Sequence, residues 1–473
     1  MPLAPPVNPN APKKVTWLEL FFDLIFALAL SMSAKSLEHV GDLSTSSLLA
    51  LGEFILIFVF LVIFWYRHMV LINRFAYSSF LLSLITLFMG FLVIAFTQFI
   101  RMWRIEADLG SFLATITISL VTLSLAGIYF LASIRIQEGG TNEKIWSRAV
   151  SKHMLWESMA YLGALLVSAG IRPFWFILVF IYFNRAPFET YINPKKISTL
   201  DPALTTLPAE NVPHKAERLG LFALLIYGLV IVLAATPLLQ IVSISSVDQI
   251  LGPILNFAQI FFFISLIWYI HYRVFEVCKP KGNQFTVLTF ITLALLVATT
   301  HFIKIMLVNP SVFVSTAFAV STALMLTVIA IVFWNIKTIA GGTDIILKAF
   351  RQWSLLLYIS AAAFFASTLF PSPIKEIIWK IIAIVLFVFA LFEGRLNEYY
   401  VKTTESKKVL RFLDNQTVSG LALIVTGVII FFVITALLGK SIASWWIFTW
   451  LAPVLVGFFV ILNHWLHTRI KPN

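Results

Sequence analysis

Two carboxylates, Glu19 and Asp23, stand four residues apart in WLELFFDLIFALALS (residues 17–31), an otherwise apolar stretch. Four residues is just over one helical turn, so both acids leave a helix on the same face. A charged side chain at the centre of a bilayer costs about 2.5–3.5 kcal/mol on insertion scales. To be tolerated there, a carboxylate needs a proton, a cation or hydrogen-bond donors. The chemistry open to it is therefore proton carriage or cation binding, and an amide would serve neither.

Other polar side chains cluster in the same first half of the chain. Trp65, Tyr66, Arg67 and His68 end one apolar segment, with Asn73 and Arg74 just beyond it. His153 and Glu157 open another, again one turn apart on one face. Glu53 lies within an apolar run with no nearby charge. In the second half His214, Glu217, Arg218 and His271 hold comparable places. Each has a bland reading. An acid in a helix's first turn complements the macrodipole and can reach the interface, which suffices for Glu19. Asp23 is shorter and deeper, so snorkelling serves it poorly. A Trp-Tyr pair at a span end is ordinarily an interfacial anchor. His153 and Glu157 can bond each other between helices for about 0.6 kcal/mol. Arg101, Arg104, His301 and Lys304 read as interface residues near span ends.

These residues must be carried by membrane helices. The chain has 473 residues, 60% hydrophobic and 12% charged, with a mean hydropathy of +0.94. Soluble domains are about 45–50% apolar and about 25% charged. The formal charge of +12 fits cytoplasmic loops better than nucleic acid. Cys278 is the single cysteine, so an internal disulfide and a thiolate metal site are excluded. No metal-ligand spacing, Gly-rich phosphate loop or GxSxG is present, and neither metal nor cofactor is expected. Loops are too short for a soluble catalytic domain, so the chain does not read as a conventional enzyme.

Apolar runs predict spans near 16–35, 46–66, 78–100, 112–134, 153–170, 173–186, 219–242, 249–272, 285–307, 312–336, 353–371, 374–393, 417–438 and 442–466. With the N-terminus inside, 26 of the 34 Lys and Arg fall on the cytoplasmic side. Omitting the short sixth span would leave 12 inside and 22 outside, so it stays. Both termini are then cytoplasmic, and Glu19, His68, His153 and Glu157 share the inner end. Glu53 falls near the outer third of its span.

The chain also repeats itself. Trp65-Tyr66-x-His68 returns as Trp268-Tyr269-x-His271, and LELFFDLIF at the first span answers to AERLGLFALL at the seventh. Six spans separate the two sets, so the halves are parallel repeats. The expected fold is an all-α integral membrane protein of about 14 transmembrane helices. Its parts are a tail (1–15), a first six-helix repeat (16–186), a cytoplasmic linker (187–214), a second repeat (215–395), a connector (396–416) and two further helices (417–468).

WLELFFDLIF, the tryptophan-rich end of span two with Asn73 behind it, and HxxERxGLF at 214–222 together resemble the bacterial low-temperature-requirement A (LtrA) family, over about residues 15–393. That resemblance implies a multi-pass protein of the bacterial cytoplasmic membrane linked to growth in the cold. The family's seventh span usually continues to Leu-Gly-Glu, where this chain has Tyr227-Gly228-Leu229. FxDxxFAxA (Phe21, Asp23, Phe26, Ala27, Ala29) is also similar to the first helix of lysosomal-type potassium channels, themselves duplicated six-helix proteins. The expected function is a transporter or channel for an ion or small solute, using intramembrane carboxylates. The alternatives are a membrane-embedded lipid-processing enzyme or an envelope scaffold for cold adaptation. The expected partners are the lipid bilayer and an unnamed ion or solute, not nucleic acid. A homo-oligomer is compatible with the sequence.

Overall fold

Long apolar runs leave backbone amides no partner in lipid but the helix itself, and helices are what the chain forms. The structure, a computed structural model, describes residues 15–40, 42, 44–74, 80–103, 107–135, 141–192, 212–239, 247–277, 283–308, 311–336 and 344–402. Among them are twelve α-helices and no strand. They are α1 (Trp17–Ser33), α2 (Thr45–Arg74), α3 (Phe80–Met102), α4 (Ala107–Arg135), α5 (Thr141–Leu162) and α6 (Arg172–Ile192). After the linker come α7 (Val212–Leu239), α8 (Val247–Val277), α9 (Asn283–Val308), α10 (Val312–Trp334), α11 (Asp344–Ser367) and α12 (Ser372–Lys402). Each answers to one of the first twelve predicted segments. The last two, 417–438 and 442–466, lie outside the described residues, as does Cys278.

The chain forms two compact units, Met1–Trp379 and Lys380–Asn473. The described part of the second is the remainder of α12. Seven helical stretches of the first are long and apolar enough to cross a membrane: Trp17–Leu37, Thr45–Asn73, Leu81–Met102, Ala107–Ile134, Pro213–Ala235, Gln284–Met306 and Val312–Trp334. Arg172–Asn184 and Ile260–Tyr272 are shorter apolar helices.

Local chemistry sets the helix ends. Thr16 caps α1, its Oγ1 accepting from the Glu19 amide at 3.3 Å while Glu19 accepts from the Thr16 amide at 3.4 Å. This reciprocal capping box satisfies two of the orphan amides at the helix start. Beyond Ser33 the chain tightens into a 3-10 turn (Ala34–His39). Asp42 then accepts from the Ser44 amide at 3.0 Å and from Ser47 Oγ at 2.9 Å, ahead of α2. Hydrogen bonds from Ser44 and Ser47 hold its carboxyl below the ordinary range.

The fifth segment differs from its expected limits of 153–170. Helix α5 starts at Thr141, ends at Leu162, passes into a 3-10 turn (Gly163–Leu166) and is extended at Val167. At that end Arg172 Nε donates to Ala164 O and Val167 O, both at 3.2 Å, and the Ala164 carbonyl also accepts from the Val167 amide, so the turn is held from the next helix. A Cβ at Gly163 would stand 3.2 Å from the Trp175 ring, so glycine admits that tryptophan. The polar character of α5 also has a use. Ser147, Ser151 and Ser158 donate to the α4 carbonyls of Tyr129, Ala126 and Ser119 at 2.6–2.8 Å. Small hydroxyl residues at this spacing let two helices approach closely.

Packing follows one pattern in each half. α1 lies against α2 and α3, α3 against α4, and α4 against α5; α7 lies against α8 and α9, α9 against α10, and α10 against α11. The halves meet chiefly where α1 packs on α7.

Candidate functional site

Helix α1 brings Glu19 and Asp23 to that α1–α7 seam, as their four-residue spacing requires. Helix α7 presents His214 and Arg218 with the same spacing. Glu19 Oε2 lies 3.2 Å from His214 Nε2, and Asp23 Oδ1 lies 2.8 Å from Arg218 Nη2. The two pairs have the same separation along the chain, so the two helices run parallel in one register. Arg218 Nε is also 3.2 Å from each Asp23 oxygen, giving a bidentate clamp. Asp23 and Arg218 are both fully buried, at 0% exposure.

Helix α2 closes the site. Trp65 and His68, three residues apart, face the seam together. Trp65 Nε1 donates to Asp23 Oδ1 at 2.7 Å, and its ring stacks on Phe222 at 4.5 Å with Phe290 edge-on at 5.4 Å. The Arg218 guanidinium stands 5.6 Å from the centre of the Trp65 ring. His68 Nδ1 is 3.4 Å from Arg218 Nη2, its Nε2 is 3.4 Å from Thr86 Oγ1 of α3, and its ring lies 3.9 Å from that of Phe22. Arg218 Nη1 is buried and makes no hydrogen bond among the described residues. Asp23 is therefore held by a cation and an indole N–H. Any incoming proton or cation competes with Arg218.

Arg67, one step round the helix from His68, builds a second network on the opposite side of α2. Its Nη1 meets Glu157 Oε2 of α5 at 2.7 Å, and its Nη2 meets Asn184 Oδ1 of α6 at 2.8 Å. Tyr161 donates to Glu157 Oε1 at 3.3 Å, and Tyr129 of α4 donates to the Arg67 carbonyl at 2.9 Å. Consecutive residues of α2 thus hold two buried ionic networks.

The candidates sort accordingly. Glu19, Asp23, His68, His214 and Arg218 come together, with Glu19 also serving as a helix cap. Glu157 belongs to the Arg67 network. His153 is beside it, with Nε2 2.8 Å from the Phe183 carbonyl. Glu53 is twelve residues before Trp65, about 18 Å along α2, and is not part of either cluster. Glu217 is exposed. His214 and Arg218 thus complete the first half's site instead of opening a second. His271 is buried in the second half with Nδ1 3.3 Å from Tyr227 OH, while among the described residues its Nε2 and the hydroxyl of Thr289 have no hydrogen-bond partner. Among the described residues no group of His, Cys, Asp or Glu could hold a metal ion.

Sequence reasoning sets Arg67 in the polar cluster without its partners, reads Trp65 as an interfacial anchor, and does not single out Asn184 or Thr86. An interfacial Trp and a donor to a buried acid look alike in sequence. The available signal is period: Trp65 and His68 fall on one face and Arg67 on another.

The family model described as bacterial low temperature requirement A protein matches residues 14–251, half of the chain. The chain belongs to the LtrA family. Every residue of the two networks lies inside that stretch, whereas His271 and Thr289 lie beyond it. No curated protein matches the chain.

Proposed function

We propose that this LtrA protein is a transporter or channel for an ion or small solute, with its pathway controlled by the Asp23–Arg218 pair. One observation carries the reading: a fully buried ion pair bridges two helices of separate halves, each long and apolar enough to cross a membrane. Desolvating two charges offsets most of their attraction, so such a pair is weak support for stability alone. Ionisable groups inside membrane segments ordinarily mark ion, proton or substrate routes. A pair that joins two bodies can also be exchanged for a pair with a transported charge, which suits a gate.

The parallel duplication is part of the proposal. Supporting it, cross-helix bonds recur at matching places in the two halves. Ser151 donates to Ala126 O and Ser354 to Ala330 O, both at 2.8 Å. Arg172 donates to Ser111 Oγ and Lys375 to Ser315 Oγ. Trp175 and Trp379, each in the first turns of a sixth helix, donate back at 2.8 Å to the Ala160 carbonyl and to Ser367 Oγ. Fourteen spans, cytoplasmic termini and a cytoplasmic linker at 187–214 complete the scheme in a bacterial inner membrane. Tags at the N-terminus, in the linker and at Asn473 are expected to be reachable from the cytoplasm only. Periplasmic labelling of the linker would overturn the topology.

The functional test is reconstitution into liposomes with a panel of protons, alkali cations and small polar solutes. Protein-dependent flux of at least one species is expected. Correctly inserted protein that moves none, but converts lipid, would establish the enzyme reading; moving none and converting none would leave the scaffold.

A further inference from the structure

His271 of α8 and Thr289 of α9 are buried, at 1% and 0% exposure. His271 spends Nδ1 on Tyr227 OH of α7, at 3.3 Å, and Phe275 stands edge-on to its ring at 5.3 Å. Among the described residues neither its Nε2 nor Thr289 Oγ1 has a hydrogen-bond partner. A helical threonine has an acceptor within reach in the carbonyl four residues back, and Thr97, Thr122 and Thr292 use it at 2.9 Å. Thr289 does not, so its hydroxyl is not satisfied by its own helix.

The first half holds the same pair joined. Under the proposed duplication, one shift carries Trp65-Tyr66-x-His68 onto Trp268-Tyr269-x-His271 and VIAFTQFIR (93–101) onto LVATTHFIK (296–304), which sets Thr86 on Thr289. His68 Nε2 and Thr86 Oγ1 are 3.4 Å apart, in direct contact. Helix α8 packs on α9 as α2 packs on α3. The second half therefore keeps both residue types on matching helices and lacks the direct bond. Leaving both groups unpaired costs more than the bond would contribute, whereas an apolar pair would carry no such cost.

We infer that one buried water molecule joins His271 Nε2 to Thr289 Oγ1. Water both donates and accepts, so it serves either tautomer of the imidazole, and the threonine hydroxyl can answer it in either sense. The pair supplies no fixed charge to balance an ion. Tyr227, His271, the water and Thr289 then form one hydrogen-bonded chain across α7, α8 and α9. The transport reading does not enter this inference.

The test is the transfer of magnetisation from water to isotope-labelled histidine in the full-length protein in bilayers. The His271 Nε2 signal, assigned by its loss in His271→Gln, is expected to build up at least twofold faster than that of His68 Nε2. Thr289→Val keeps the shape and removes the hydroxyl. It should abolish that lead and lower the unfolding midpoint in detergent by about 1–3 °C. Thr289→Ser returns a hydroxyl and should return the lead. If His271→Gln does not accumulate, the signal displaced by Thr289→Val supplies the assignment. Transfer to His271 no faster than to His68, or a lead that survives Thr289→Val, overturns the bridge. So does a midpoint unchanged or raised in Thr289→Val, the result for a hydroxyl that stands alone.

Discussion

The two halves of this protein bury helix faces of different chemistry. In the first, α2, α5 and α6 meet through Arg67, Glu157, Tyr161 and Asn184. Under the proposed duplication, Ile270, Ser360 and Phe364 answer to Arg67, Glu157 and Tyr161, and they are exposed by 0%, 4% and 1%. The proposed repeat thus sets three buried residues without charge against the ion pair of the first half. Replacing a buried ion pair by packed apolar groups is often neutral or stabilising. Charge at this seam is therefore not a requirement of the architecture. Where the first half retains it, beside the Asp23–Arg218 clamp, the proposed gating role supplies a reason that stability alone does not.

The largest effect should come from unpairing the clamp. Arg218→Met leaves Asp23 buried without its cation and is expected to cost about 3–5 kcal/mol, read as unfolding in detergent. Adding Asp23→Leu should return most of that stability. Failure of the double variant to recover would mean that the clamp holds the fold together, and the contrast between the halves would lose its meaning.

The next test carries the second half's solution into the first. Glu157→Ser alone strands Arg67, whose side chain is 10% exposed, and should be strongly destabilising. Arg67→Ile, Glu157→Ser and Tyr161→Phe together should unfold closer to wild type than Glu157→Ser does. A triple variant worse than that single one would show that the charged seam is structural.

Trp65→Phe keeps the ring against Phe222 and deletes the donor to Asp23. A hydrogen bond to a charged group contributes about 1.5–3 kcal/mol, and a loss in that range is expected. A change near zero would return Trp65 to a packing role.

The smallest effect separates two glutamates that look equivalent in sequence. Glu217→Gln alters an exposed side chain and should leave stability and function unchanged. Glu19→Gln touches both the capping box and His214, so a measurable loss is expected there. Equal responses would erase the distinction drawn between them.

How much of this is legible beforehand depends on what each signal measures. Hydropathy reports helices, and the twelve described helices fall where apolar runs predict them. It does not report where a helix stops when a side chain from the next one bonds its last carbonyls, as Arg172 does at the end of α5. Asp23 is visible because an acid in an apolar run is expensive, and Glu157 because it stands one turn from His153 on one face. Partners are harder, because they come from elsewhere in the chain. Sequence alone assigns Arg218 to a second site, since it lies far along the chain from Asp23 and pairs with it only through the α1–α7 seam. Trp65 is hidden by the bland role that tryptophan usually plays at membrane interfaces.

The most direct test of the central claim measures flux and folding on one preparation. The double variant Asp23→Leu/Arg218→Met, reconstituted beside wild type with whichever species the panel identifies, removes the clamp without leaving a buried charge unpaired. The expected protein inserts and unfolds like wild type, but its flux falls at least tenfold or loses its regulation. Wild-type flux from the folded double variant would contradict a gating role and make the clamp a feature of the fold.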